Sequence, residues 1–222
     1  MPRRIEARKG RILRRIYDRL CEVYGPQHWW PAETPFEVMV GTILVQNTNW
    51  ANVEKAIQAL KDRKCLSLNA LRALSENELA GLIRPAGTFR VKARRLRNLL
   101  DLIAGWGSVT RMARAPLDVL RRKLLDVNGV GPETADSILL YARQKPVFVV
   151  DAYTRRLLDR HGFPEGRAGY DDIQALFMRH CPRDVRVYNE YHALIVRLGK
   201  DFKGLDAVRR KEYPLKAAHF FL

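Results

Sequence analysis

Cysteine is scarce in this 222-residue chain: Cys21, Cys65 and Cys181 are the only three. They are far apart, odd in number and without any C-x-x-C spacing. That argues against a disulfide framework, a zinc site or a cysteine-held cluster, and packing residues in a reducing compartment are expected. Long hydrophobic runs are missing too. Apolar residues make up 47% of the chain, but no run approaches the roughly 18–20 residues of a membrane span. The first twenty residues are basic with no apolar stretch behind them, so no signal peptide is expected. Strand signals are nearly absent. The one candidate, Pro146-Val147-Phe148-Val149-Val150, has no visible pairing partner and reads as an extended buried connector. Negative charge is in deficit: 24 Asp and Glu stand against 40 Lys and Arg, a net +16 with a pI near 10.2. Such a surface attracts polyanions in a salt-dependent way, nucleic acid first and an anionic membrane second.

What the chain does have is helical periodicity. Ile12, Ile16, Leu20 and Val23 recur at three to four residues, and residues 37–45 are apolar nearly all round, as in a buried helix. Further helices are expected over 51–60, 66–74, 76–83 (with Ser75 as N-cap), 91–104, from Pro116 to residue 125, and over 152–160, 170–180 and 185–198. In 91–104, Leu96, Leu99, Leu100 and Ile103 mark one side and Lys92, Arg94, Arg95 and Arg97 lie around the other; Arg94, Arg95 and Arg97 read as a solvated face or, alternatively, as phosphate contacts. The loop 25–35 holds three prolines with Trp29 and Trp30 and looks like a hinge; 145–151 is a second crossing point. These features predict an all-α protein of two lobes, residues 33–145 forming one and 1–32 with 146–222 the other.

The most informative stretch is 124–140. A helix ends in Val127-Asn128-Gly129-Val130-Gly131, and a new one starts at Pro132. Two glycines at this spacing permit a tight turn and close backbone approach, and Pro132 suits the first helical position. Backbone N–H groups of such a turn make an anion site suited to a DNA phosphate. Glycines that merely cap a helix would look alike in isolation. Val130 between them, Thr134-Ala135 after them and the net positive charge favour a helix-hairpin-helix at about 120–140, with Gly129, Val130 and Gly131 touching DNA.

With the hairpin followed by an apolar connector and then Asp151-Ala152-Tyr153-Thr154-Arg155-Arg156, the chain resembles the endonuclease III superfamily of helix-hairpin-helix DNA glycosylases over roughly residues 30–200. In that family the aspartate about twenty residues after the hairpin is the catalytic carboxylate. The resemblance therefore assigns catalysis to Asp151, whose plain alternative is a helix N-cap. Gly41 to Thr48 resembles the family's buried helix ending in a glutamine that fills the gap left by an extruded base, here Gln46. Gly87-Thr88-Phe89 resembles the segment bearing the other wedge, which puts Thr88 or Phe89 near the duplex.

Two departures from the family narrow the expectation. Glu133 occupies the position of the lysine that forms a Schiff base in bifunctional members, and a carboxylate cannot form an imine. The four closely spaced C-terminal cysteines of cluster-bearing members are also missing, so no iron–sulfur cluster and no other metal are expected. With Trp29-Trp30-Pro31, Gln46-Asn47-Thr48 and Glu133-Thr134-Ala135-Asp136, these departures are similar to the cluster-less 3-methyladenine DNA glycosylases. That resemblance implies a base pocket of Trp29, Trp30, Pro31 and Trp50. It also implies a lysine, matched by position to Lys200, of the kind that can carry a carbamate. The tryptophans could equally be staples of the loop and core. His161, His180, His192 and His219 show no metal spacing and are assigned no role.

The chemistry expected from the resemblance is monofunctional. A damaged base in duplex DNA is flipped out and stacked on indole faces, which attract cationic alkylpurines, and Asp151 assists water attack at the sugar. The two lobes would hold DNA across a cleft. A monomer in the cytoplasm, at the nucleoid and away from membranes, is expected. Two alternatives are excision of another lesion (mismatched adenine, uracil or thymine) and non-catalytic damage sensing.

Overall fold

The computed structural model describes residues 2–202 and 211–222. Among these residues every regular element is helical, and none is long and apolar enough to cross a membrane. The chain divides into two compact units, residues 30–145 and residues 1–29 with 146–222. The first division falls between Trp29 and Trp30, inside the proline-rich loop.

Helix α1 (Pro2–Tyr24) buries Ile12, Leu13, Ile16 and Leu20. Val23, expected in the same stripe, is 43% exposed because the last turn borders an open groove of about 580 Å³ with Lys200 and Phe202.

Residues 30–145 start with α2 (Pro35–Leu44), buried throughout its length after Pro35 and opened by Thr34, whose Oγ1 accepts the Glu37 N–H at 3.1 Å. Asn49 caps α3 (Trp50–Asp62). Ser67 caps α4 (Leu68–Ala73). A reciprocal Ser75–Glu78 capping box opens α5 (Glu76–Leu82). These caps satisfy N–H groups that have no partner within the helix. Next come α6 (Phe89–Gly105), α7 (Val109–Ala113) and α8 (Leu117–Leu125). Helix α9 (Pro132–Ser137) runs on as one π-helical turn, Ile138–Ala142, that packs on α2. Leu96, Leu99, Leu100 and Ile103 of α6 are buried as the periodicity predicts. Lys92 is not on the solvated side: it is 1% exposed, and its Nζ donates to Leu44 O at 2.8 Å and Ala86 O at 2.6 Å. Both carbonyls end helical turns and lack an amide donor, so a buried ammonium serves them.

In the other unit, residues 147–150 are buried and belong to no helix or ladder. Side chains satisfy the connector instead: Gln174 Nε2 donates to Phe148 O at 2.6 Å, and Val150 N donates to Tyr170 Oη at 3.3 Å. Then follow α10 (Ala152–Arg160), α11 (Tyr170–His180) and α12 (Val185–Asp201), and α1 packs against the last two. Phe148 stacks on Phe177 with ring centroids 4.1 Å apart and meets the edges of Tyr188 and Tyr191. Gly199 lets α12 close onto α10, since a Cβ there would stand 2.0 Å from Tyr153 Cδ1. Buried His161 anchors the C-terminal segment through Phe220 O at 3.0 Å and Tyr213 Oη at 2.8 Å.

Candidate active site and nucleic-acid interface

Within residues 30–145 the hairpin joins α8 to α9. Its turn closes with Val130 N donating to Val127 O at 3.0 Å. Gly129 takes φ +95°, a region open to glycine at little cost. Val130 is buried and pins the turn, while Gly131, Pro132 and Glu133 are exposed. Exposed Arg122 and Lys123 end α8 beside it.

A network then locks the turn to its neighbours. Gln46 Nε2 donates to Gly129 O at 3.1 Å and to Thr134 Oγ1 at 3.0 Å, and its Oε1 accepts from Arg95 at 2.7 Å. Asn98 Nδ2 donates to Asn128 O at 3.0 Å. The structure therefore brings Gln46 to the hairpin with both ends of its amide occupied. The cluster Arg94, Arg95 and Arg97 is not uniformly a solvated face. Arg95 instead braces Gln46, and Arg97 donates to Leu74 O at 2.6 Å.

Thr88 is exposed and left-handed, with φ +38° directly after Gly87 at φ +70°. For a β-branched residue that conformation is strained and needs a surrounding structure to hold it. Phe89 follows with the Arg84 and Arg90 guanidinium carbons each 5.9 Å from its ring centroid.

In the other unit Asp151 does occupy the N-cap of α10. Its Oδ1 accepts from Thr154 N at 2.7 Å and Thr154 Oγ1 at 2.9 Å. That fixes the carboxylate's rotamer and leaves Oδ2 facing His192 Nε2 at 3.6 Å. The Asp151 side chain is 12% exposed. Burial pushes the His192 pKa below its usual 6.5, against the pull of Asp151, so the imidazole is neutral at neutral pH. Sequence reasoning missed His192. The available signal was its register with Tyr188, Tyr191 and Ile195 on the buried face of α12.

The tryptophans divide between the units. Trp30 meets Trp50 edge-on with centroids 5.1 Å apart, and Tyr141 lies 5.2 Å from Trp30. Both indoles and Pro31 line a cavity of about 270 Å³ with Glu37, Gly41, Glu54 and Lys61. Trp50 Nε1 donates to Glu54 at 2.9 Å, and Glu37 pairs with Lys61 at 3.0 Å. Trp29 belongs to the other unit, where Lys200 Nζ stands 5.7 Å from its ring centroid.

The chain is similar to several known proteins of DNA repair. A chain of Methanocaldococcus jannaschii provisionally named a DNA repair glycosylase is 48% identical over 197 residues, covering 87% of this chain and 90% of that one. The 3-methyladenine DNA glycosylase of H. pylori, solved bound to 1,N6-ethenoadenine, superposes with a TM-score of 0.76 at 28% identity over 89% of this chain and 99% of that one. A trapped endonuclease III–DNA covalent intermediate shares the fold, with a TM-score of 0.78 at 22% identity over 93% of each chain. Residues 40–183 match the family described as HhH-GPD superfamily base excision DNA repair protein, and the chain belongs to that family.

Proposed function

We propose that this protein is a monofunctional DNA glycosylase that hydrolyses the N-glycosidic bond of alkylated purines, 3-methyladenine and 7-methylguanine, in base excision repair. The Asp151 carboxylate carries the proposal. Cleavage of the glycosidic bond builds oxocarbenium-like charge on the sugar, which a fixed carboxylate stabilises while it helps a water attack. Thr154 holds one oxygen of Asp151, and the other faces a neutral imidazole. That leaves an acceptor oxygen uncommitted to any cationic side chain among the described residues.

The substrate class rests on the indoles and on likeness to the H. pylori enzyme. The glycosidic nitrogen systems of 3-methyladenine and 7-methylguanine nucleotides are cationic. An indole face attracts such a cation by about 0.5–2 kcal/mol, and the Trp30–Trp50 cavity adds the carboxylate of Glu54, Glu37 being paired with Lys61. Glu133 excludes Schiff-base chemistry from its position, so the abasic strand would be left uncut. We extend the proposal to the absence of a cluster and to a carbamate on Lys200, which would replace the cation over Trp29 with an anion.

A panel of duplexes tests the assignment, each with one lesion: 3-methyladenine, 7-methylguanine, 1,N6-ethenoadenine, uracil, or mismatched thymine or adenine. Release of the alkylated purines above the rest is expected. Release of only uracil or a mismatched base would reassign the enzyme, and tight binding with no release of any base would favour a sensing role.

A further inference from the structure

We infer that α1 is a second DNA-contacting surface, one that grips the phosphate backbone through an arginine stripe independently of the hairpin. Helix α1 carries seven arginines and one lysine against three acidic residues. The two kinds of base are sorted by face. Lys9 is buried and paired with Glu6 and Glu165, whereas Arg4, Arg8, Arg11 and Arg15 are all exposed. At 3.6 residues per turn these four fall within an arc of about 60° and extend over roughly 16 Å. That is about the axial rise of five phosphates on one strand of B-DNA, at 3.4 Å each. Among the described residues none of the four makes an ion pair. Glu6, the one acid in this stretch, is held by Lys9, Arg179 and His180, and its pKa is lowered to about 2.

The placement runs against the helix's own electrostatics. The first turn, where the macrodipole is positive, holds Arg3 and Arg4 and no acidic residue, and the last turn holds no basic one. Arg4–Arg8 and Arg11–Arg15 are also like-charge pairs four residues apart, which destabilise a helix. A local rule broken without internal compensation marks a functional surface, and a polyanion relieves both conflicts. Arginine suits phosphate better than lysine because its planar fork can bond two oxygens at once. A membrane fits less well, because the apolar face that an interfacial helix would insert is already buried against α11 and α12.

The test is the salt dependence of binding to undamaged duplex DNA, so lesion preference does not enter. The wild type is compared with the full-length variant Arg4→Gln/Arg8→Gln/Arg11→Gln/Arg15→Gln. A control removes the same charge from exposed Lys55, Arg63, Lys64 and Arg114. Each lost phosphate contact lowers the slope of log K against log salt by about 0.9, so a fall of about 3–4 is expected for the stripe variant and a smaller one for the control. The free stripe variant should also melt at a higher temperature than wild type, since its repulsion is gone. An unchanged slope, an equal fall in the control, or a loss seen only with structured RNA or anionic vesicles would overturn the inference.

Discussion

Asp151 caps a helix with one carboxylate oxygen, and the proposed chemistry draws on the other. Its Oδ1 closes the first turn of α10 through Thr154, and its Oδ2 is left beside His192. Asparagine caps helices about as well as aspartate, whereas alanine costs about 1 kcal/mol. Asp151→Asn should therefore unfold near the wild-type midpoint, and Asp151→Ala at a lower one. Thermal unfolding of the pair measures this directly. An asparagine variant as unstable as the alanine one would show that the charge of Asp151, rather than its capping geometry, holds the local structure. Lys92 shows the limit of a helical wheel. Its position among Arg94, Arg95 and Arg97 suggests solvent, but the need arises elsewhere, in the carbonyls of Leu44 and Ala86. A sequence pattern does not display unsatisfied acceptors 48 and 6 residues away.

At the scale of elements, the parts governed by local chemistry were legible. The caps at Ser75 and Asp151, the buried connector before Asp151 and the paired glycines of the hairpin follow from side-chain spacing and backbone permissiveness. The bracing of the hairpin was not legible, because Gln46, Arg95 and Gly129 are brought together only by tertiary packing. Gly129 tests that bracing. A Cβ there would sit 2.2 Å from Arg95 Cγ, at a backbone φ of +95°. Gly129→Ala should cost on the order of 1–3 kcal/mol from backbone strain alone. It should also displace Arg95 from Gln46 and weaken DNA binding several-fold. Denaturant titration and equilibrium DNA binding report the two effects. A fully stable variant with unchanged affinity would mean that the turn is held by something other than the Arg95–Gln46 link.

For the whole molecule, the charge excess and the all-α fold could be read from composition and periodicity, while the anchoring of the C-terminal segment could not. His161 provides that anchor and makes stability depend on pH. Burial lowers its pKa from 6.5 to about 4. The neutral ring is favoured in the fold and the charged ring in the unfolded chain, so its contribution is complete above pH 6.5 and is lost as pH falls toward 4. The loss is on the order of 3 kcal/mol, and it lies mostly above the range in which Glu6 titrates, between 4.5 and about 2. Urea unfolding between pH 7 and pH 4 should show this slope in the wild type and a flatter one in His161→Phe. Parallel slopes would remove His161 from the explanation.

The most direct test of the central claim is release of free base from methylated duplex DNA by wild type and Asp151→Asn, with the product strand examined on a denaturing gel before and after alkali. Wild type should release 3-methyladenine and leave an abasic strand that breaks only on alkali treatment. The variant should bind the same duplex and release nothing. Base release by Asp151→Asn at the wild-type rate, or strand cleavage by wild type without alkali, would contradict the Asp151-centred, monofunctional mechanism.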